Sequence, residues 1–206
     1  KRTSCSNNLV LIACWLVSGF ATSMADDSPP GQKRVLIPGT KVSLVPPEGF
    51  MVATSFTGLQ HLETGSSIMV IELRGPITDL IEDPGDRIGL ARRGVSVISK
   101  EEKKCGQFPG ALYHLSQEMQ GKQVEKWLWM FGSEEESVIV GGICFVEHKP
   151  AMFDTLLKAV SSTRWELEQK ADPLDGLGFS LSYQGPLNHL ARLGNTVSFC
   201  LHPPSQ

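Results

Sequence analysis

The residues predict an α+β protein. A central antiparallel β-sheet meander carries helices on its faces, in an α/β/α-like sandwich. Three observations carry this reading. From Val95 to Glu147 the apolar residues alternate with period two, broken by turn-forming residues. Phe153, Leu156, Leu157 and Val160 then fall at helical spacing. Earlier, "SIMVIEL" from Ser67 to Leu73 is short, rich in β-branched residues and bounded by Gly65 and Gly75-Pro76, the pattern of a buried strand.

The elements follow in order. "VSLVPPEGFMVATSF", Val42 to Phe56, holds two apolar pieces around Pro46-Pro47-Glu48-Gly49. Proline lacks the N–H a sheet ladder needs, so that tetrapeptide is a turn or an edge. After the buried strand, "PITDLIEDPGDRIGLARRG" is split by Pro84-Gly85. Two short helical pieces are expected on either side, the second ended by Gly94. The meander then runs through "VSVISKEE", "ALYHLSQEM", "QVEKWLWMF" and "SVIVGGICFVE". Tight hairpins are placed at Gly121-Lys122 and at "GSEEES". "PAMFDTLLKAVSSTRW" supplies the closing helix, with Pro150 tolerated in its first turn. Its stripe covers one face of the meander. In the tail, "LGFSLSY" and "NTVSFCL" read as strands. "GPLNHLARLGN" between them reads as a short helix with Leu187, Leu190, Ala191 and Leu193 apolar and Gly194 as its cap.

The N-terminus sets the compartment. Lys1 and Arg2 precede an apolar core from Leu9 to about Ala21, and no further charge appears before Asp26. The core is shorter than the roughly 20 residues of a membrane span. Ser23-Met24-Ala25 supplies a small-x-small cleavage pattern. The pattern is that of a secretory signal peptide cut after Ala25. The alternatives are a retained anchor and a lipoprotein signal at "LIAC", with attachment at Cys14. The chain then divides into a signal at 1–25, a linker at 26–40, a domain at 41–166 and a C-terminal extension at 167–206. No membrane span is expected once the signal is removed, and the product is periplasmic or secreted.

Composition narrows the partners. A net charge of -3 without a basic run argues against nucleic acid. Of the five cysteines, Cys105, Cys144 and Cys200 lie beyond the signal. Free cysteine packs as a small hydrophobe. In an oxidising compartment one disulfide is the other outcome, with Cys105 and Cys144 as the candidate pair. The five histidines, His61, His114, His148, His189 and His202, show no metal-ligand spacing, so neither metal nor cofactor is expected. Gly141-Gly142 inside "VIVGGICF" marks a bulge or a close backbone approach. Glu134, Glu135 and Glu136 are solvated turn charges. Trp127, Trp129 and Phe131 share one strand face at i, i+2 and i+4. That face is either the core against the closing helix or a binding surface lined by aromatics.

The order "VSLVPPEGF", "SSIMVIEL", broken helix, "GALYHLSQEMQGKQVEKWLWMFGSEEESVIVGGICF" and "FDTLLKAVSSTRW" resembles the Mog1/PsbP-like superfamily, which includes DcrB-type bacterial envelope proteins. The resemblance spans Val42 to Trp165. It implies an antiparallel sheet with helices on its faces. It also implies a protein that binds or assists assembly and is not an enzyme. Partners in such families range from a small GTPase to the photosystem II lumenal complex and envelope components. No site motif is matched, so no functional residue carries over. The expectation is an exported, non-catalytic protein that binds or helps assemble envelope proteins. The alternatives are a small-molecule or lipid carrier with an aromatic-lined pocket, and a redox or hydrolytic enzyme using a free cysteine.

Overall fold

The structure is a computed structural model, and it describes residues 33–78, 94–176, 187, 189–193 and 196–200. The two helical pieces expected around Pro84-Gly85, the signal and the strand "LGFSLSY" lie outside these residues.

The sheet is antiparallel throughout. β6 (Val95–Glu102), β7 (Gly110–Met119), β8 (Lys122–Gly132) and β9 (Glu136–Phe145) form the expected meander. β3 (Met51–Val52), β4 (Gly58–His61) and β5 (Ser66–Arg74) extend it beyond β9, giving the order β3-β4-β5-β9-β8-β7-β6. Gln120 (φ 52) and Gly121 (φ 76) form the β7–β8 turn between paired Met119 and Lys122. Positive φ at both central residues is the two-residue hairpin geometry that suits strand twist. The turn is thus centred one residue earlier than the sequence suggested. β1 (Val35–Leu36) and β2 (Val42–Leu44) pair beside the short β10 (Arg164–Trp165) in a second, three-stranded sheet.

The α-helix α1 (Lys149–Ser161) packs on β9, β8 and β5. Pro150 sits in its first turn, where its missing N–H costs nothing. The apolar stripe faces the sheet: Leu156 and Val160 are buried, with Phe153 and Leu157 packed beside them. Burying one such side chain stabilises by about 1.5–3 kcal/mol. The C-terminal carbonyls, which lack partners in a bare helix, are satisfied by nearby hydroxyls and by one distant arginine. Ser162 Oγ donates to Ala159 O at 2.7 Å, Thr163 Oγ1 donates to Val160 O at 2.7 Å, and Arg34 Nη1 donates to Ser162 O at 2.6 Å.

Gly142 explains how α1 comes so close. A Cβ there would meet Val160 Cγ2 at 3.1 Å and Leu156 Cβ at 3.2 Å. The ladder runs through Gly141 and Gly142 without a register shift. Of the two expectations for the paired glycines, close approach is the one realised.

The tail departs from the reading. Where a helix was expected, His189–Leu193 is a strand (β11) that pairs antiparallel with Thr196–Cys200 (β12). The apolar spacing of "HLARL" fits either period over five residues. Cross-strand pairing with the strand-favouring "TVSFC" decides for the hairpin.

Candidate functional site

The helix-facing side of the sheet is a row of aromatic and apolar side chains that ends in charge. On β8 this side carries Glu125, Trp127, Trp129 and Phe131. The neighbouring positions on β9 are Cys144, Gly142, Val140 and Val138. Trp129 and Phe131 are buried in the core with Leu156 and Val160. Their rings lie 5.0 Å apart, and the Trp129 indole N–H donates to Lys103 O at 3.2 Å. Trp127 is half-buried and donates to Phe153 O at 3.2 Å. The three residues therefore share a face, as their spacing predicts, and that face packs against α1.

At the start of α1 the row meets a polar cluster. Glu125 accepts from Lys149 Nζ at 2.6 Å and is hydrogen-bonded to His114 Nε2. His114 is stacked into the aromatics, 4.7 Å from Trp127 and 4.7 Å from Phe153. Lys149 also lies over the Phe153 ring. Three elements are thereby joined: β7 through His114, β8 through Glu125 and α1 through Lys149. Burial pushes the Glu125 carboxyl up, but the hydrogen bonds from Lys149 and His114 more than reverse this, so it titrates below its ordinary range. The arrangement clamps the helix to the sheet. Sequence reasoning placed the aromatic row on this face but missed its polar end. The signal was available: Glu125 is at i-2 from Trp127, so it had to share the covered face.

A second, half-buried carboxyl sits toward the far end of β5. Burial raises the pKa of Glu72, which accepts from the Lys41 amide at 3.0 Å. Lys41 Nζ in turn pairs with Glu136 at 2.6 Å. This group ties β2 to the main sheet.

The proposed Cys105–Cys144 disulfide is corrected by the geometry. Both are free, buried thiols. Cys105 bridges to Phe108 just before Gly110, at the end of the sheet where Gly110, Phe131 and Val138 line up. Cys144 lies farther along β9 by about six residues, or roughly 20 Å at the strand rise. A disulfide needs Cα atoms within about 7 Å. Burial pushes both thiols up to about 11. At neutral pH the reactive thiolate is then on the order of one molecule in ten thousand, the reverse of a nucleophilic cysteine. Among the described residues no group of three His, Cys, Asp or Glu side chains is placed to hold a metal ion. No helix among them is long and apolar enough to cross a membrane.

No protein family's profile matches the chain, and no curated protein matches it. Several solved structures are similar. One is LpqN, involved in cell envelope biogenesis of Mycobacterium tuberculosis, at 11% identity and TM-score 0.48, covering 67% of this chain and 86% of that one. Another is the cyanobacterial PsbP of Synechocystis sp. PCC 6803, at 9% identity and TM-score 0.47, covering 68% and 95%. A third, from Bacteroides thetaiotaomicron, has 11% identity and TM-score 0.41, covering 66% and 49%. Likenesses at this level assign neither a residue nor a partner.

Proposed function

We infer that the protein is exported after cleavage near Ala25 and acts without catalysis, binding or helping to assemble other proteins of the cell envelope. The observation that carries this reading is the inversion between what is inside and what is outside. Cys105, Cys144, two of the three row aromatics and the Glu125 and Glu72 carboxylates are committed to the core and its clamps. Large aliphatic side chains stand outside: Met51 is 51% exposed, Val52 43% and Leu62 71%. Single exposed apolar residues are ordinary, but a group of them at one edge marks a contact surface. Of the aromatic row, Trp127 alone keeps surface for a partner to touch.

The test is affinity capture from the native source with the wild type and with a Met51→Lys/Leu62→Lys variant. The reading expects a reproducible protein partner that is depleted at least tenfold by the variant. Capture of no partner, together with turnover of a small substrate by the purified protein, would overturn it.

A further inference from the structure

The two edges of the main sheet are built differently. At the β6 edge a register shift between Val97 and Ser99 forms a bulge, and Lys100, Glu101 and Glu102 stand exposed in both signs. Bulges and mixed charge are how sheets keep other strands away. The β3 edge has neither device. From Val42 to Ile71 the sequence holds no lysine or arginine, and its acidic residues are Glu48 and Glu63 alone. One residue in five of the whole chain is charged (20%), so this stretch is depleted and what remains has one sign.

The positions are related. Met51 pairs with Gln60 and Val52 with Leu59. Past the strand ends both segments turn, one across residues 47–50, where Phe50 N donates to Pro47 O at 3.2 Å, the other across residues 62–65, and Gly49 (φ 78) in the first lies against His61 just before the second. Both exposed glutamates and the exposed Leu62 therefore gather at one end of the β3–β4 pair, beside the Phe50–His61 ring contact at 5.4 Å. Ala53 N donates to Gly58 O at 3.0 Å. In an antiparallel ladder the hydrogen-bonded pairs alternate, so the Val52 N–H and C=O point away from β4. The edge offers a backbone donor and acceptor between two apolar side chains, with an acidic rim.

Resting on the binding function inferred above, the geometry points to one occupant. The β3 edge receives an extended apolar segment of another envelope protein, flanked by lysine or arginine. Strand addition supplies the backbone bonds, and alternate side chains meet Met51 and Val52. The rim selects by charge. The matching edge of a second copy carries no lysine or arginine to meet the rim, and an anionic lipid surface would be repelled by it.

The test places a photo-crosslinking residue at Val52, at Leu62 and, as a control, at Glu102 on the other edge, in full-length protein expressed in its native source. The crosslinked peptides are then identified by mass spectrometry. The proposal expects adducts at Val52 and Leu62 to peptides with an apolar centre and Lys or Arg within a few residues. It expects Glu48→Lys/Glu63→Lys to cut the yield about fivefold, equivalent to about 1 kcal/mol shared between two surface charge contacts. Because all these sites are exposed, an unchanged melting temperature shows that the fold survives. Adducts to acid-flanked segments, to lipid or to a second copy would overturn it, as would a yield indifferent to charge reversal. Protein adducts at Glu102 only would sink this edge while leaving the binding function standing. No protein adduct at any position would remove both.

Discussion

Replacing Gly142 by valine should loosen the seat of α1, although valine is among the residues strands favour most. The Cβ alone would lie 3.1 Å from Val160 Cγ2 and 3.2 Å from Leu156 Cβ, where carbon contacts relax at about 3.5–4.0 Å. Alanine therefore asks the helix to give by a few tenths of an ångström. That strain is offset by about 0.5–1 kcal/mol from the lower chain entropy of alanine, leaving Gly142→Ala near neutral. Valine adds two more methyl groups, and both neighbouring side chains are already at 0–1% exposure. Overpacking of this kind costs about 1–3 kcal/mol, so Gly142→Val should lose about 2 kcal/mol. Gly141 is the internal control. Its Cβ would point to the other face and meet only the flexible Leu128 Cδ1, at 3.4 Å. Gly141→Ala should be neutral or stabilising by about 0.5 kcal/mol. Urea unfolding followed by tryptophan fluorescence reads all three variants. Equal tolerance at the two positions, or the opposite order, would refute the close approach of helix and sheet.

Three other outcomes are expected. Phe131→Ala empties a fully buried position and should cost about 3–5 kcal/mol in the same assay, whereas a loss below about 1 kcal/mol would remove the aromatic row from the core. Glu125 is held below its ordinary pKa of 4.5, so its stabilising contribution is complete above that value and is lost as pH falls through the folded value. Glu125→Gln should flatten that acid-side loss, and an unchanged slope would count against the clamp. Glu72, with its raised pKa, contributes the opposite sign, because its burial penalty is relieved on protonation. Cys105 and Cys144 should resist a thiol reagent at pH 7 in the folded protein and react within seconds to minutes in denaturant; rapid labelling of both in the native state would contradict their burial.

Much of this architecture was legible because one period dominates each segment. The alternation from Val95 to Glu147 left few ways to pair four strands, and the Phe153–Val160 stripe could bury itself only against a sheet face. The aromatic row was visible for the same reason, since strand geometry puts Trp127, Trp129 and Phe131 on one side whatever their partners. What the sequence hides is pairing at a distance. His114 meets Glu125 because register sets His114 opposite Trp127, and no local pattern reports that register. The separation of Cys105 from Cys144 is likewise a matter of strand length. In the tail, "HLARL" was too short for its period to be told, and its partner strand decided the outcome. The exposed edge at Met51, Val52 and Leu62 left a faint trace as a stretch without basic residues, but only the sheet order makes it an edge.

The most direct measurement is the mass of the protein gently isolated from its native source, taken first intact and then after denaturation. An exported binding protein gives a denatured chain beginning at Asp26 and a native particle enlarged by another protein. A chain that still carries residues 1–25, running as a lone monomer under native conditions, would contradict both halves of the account.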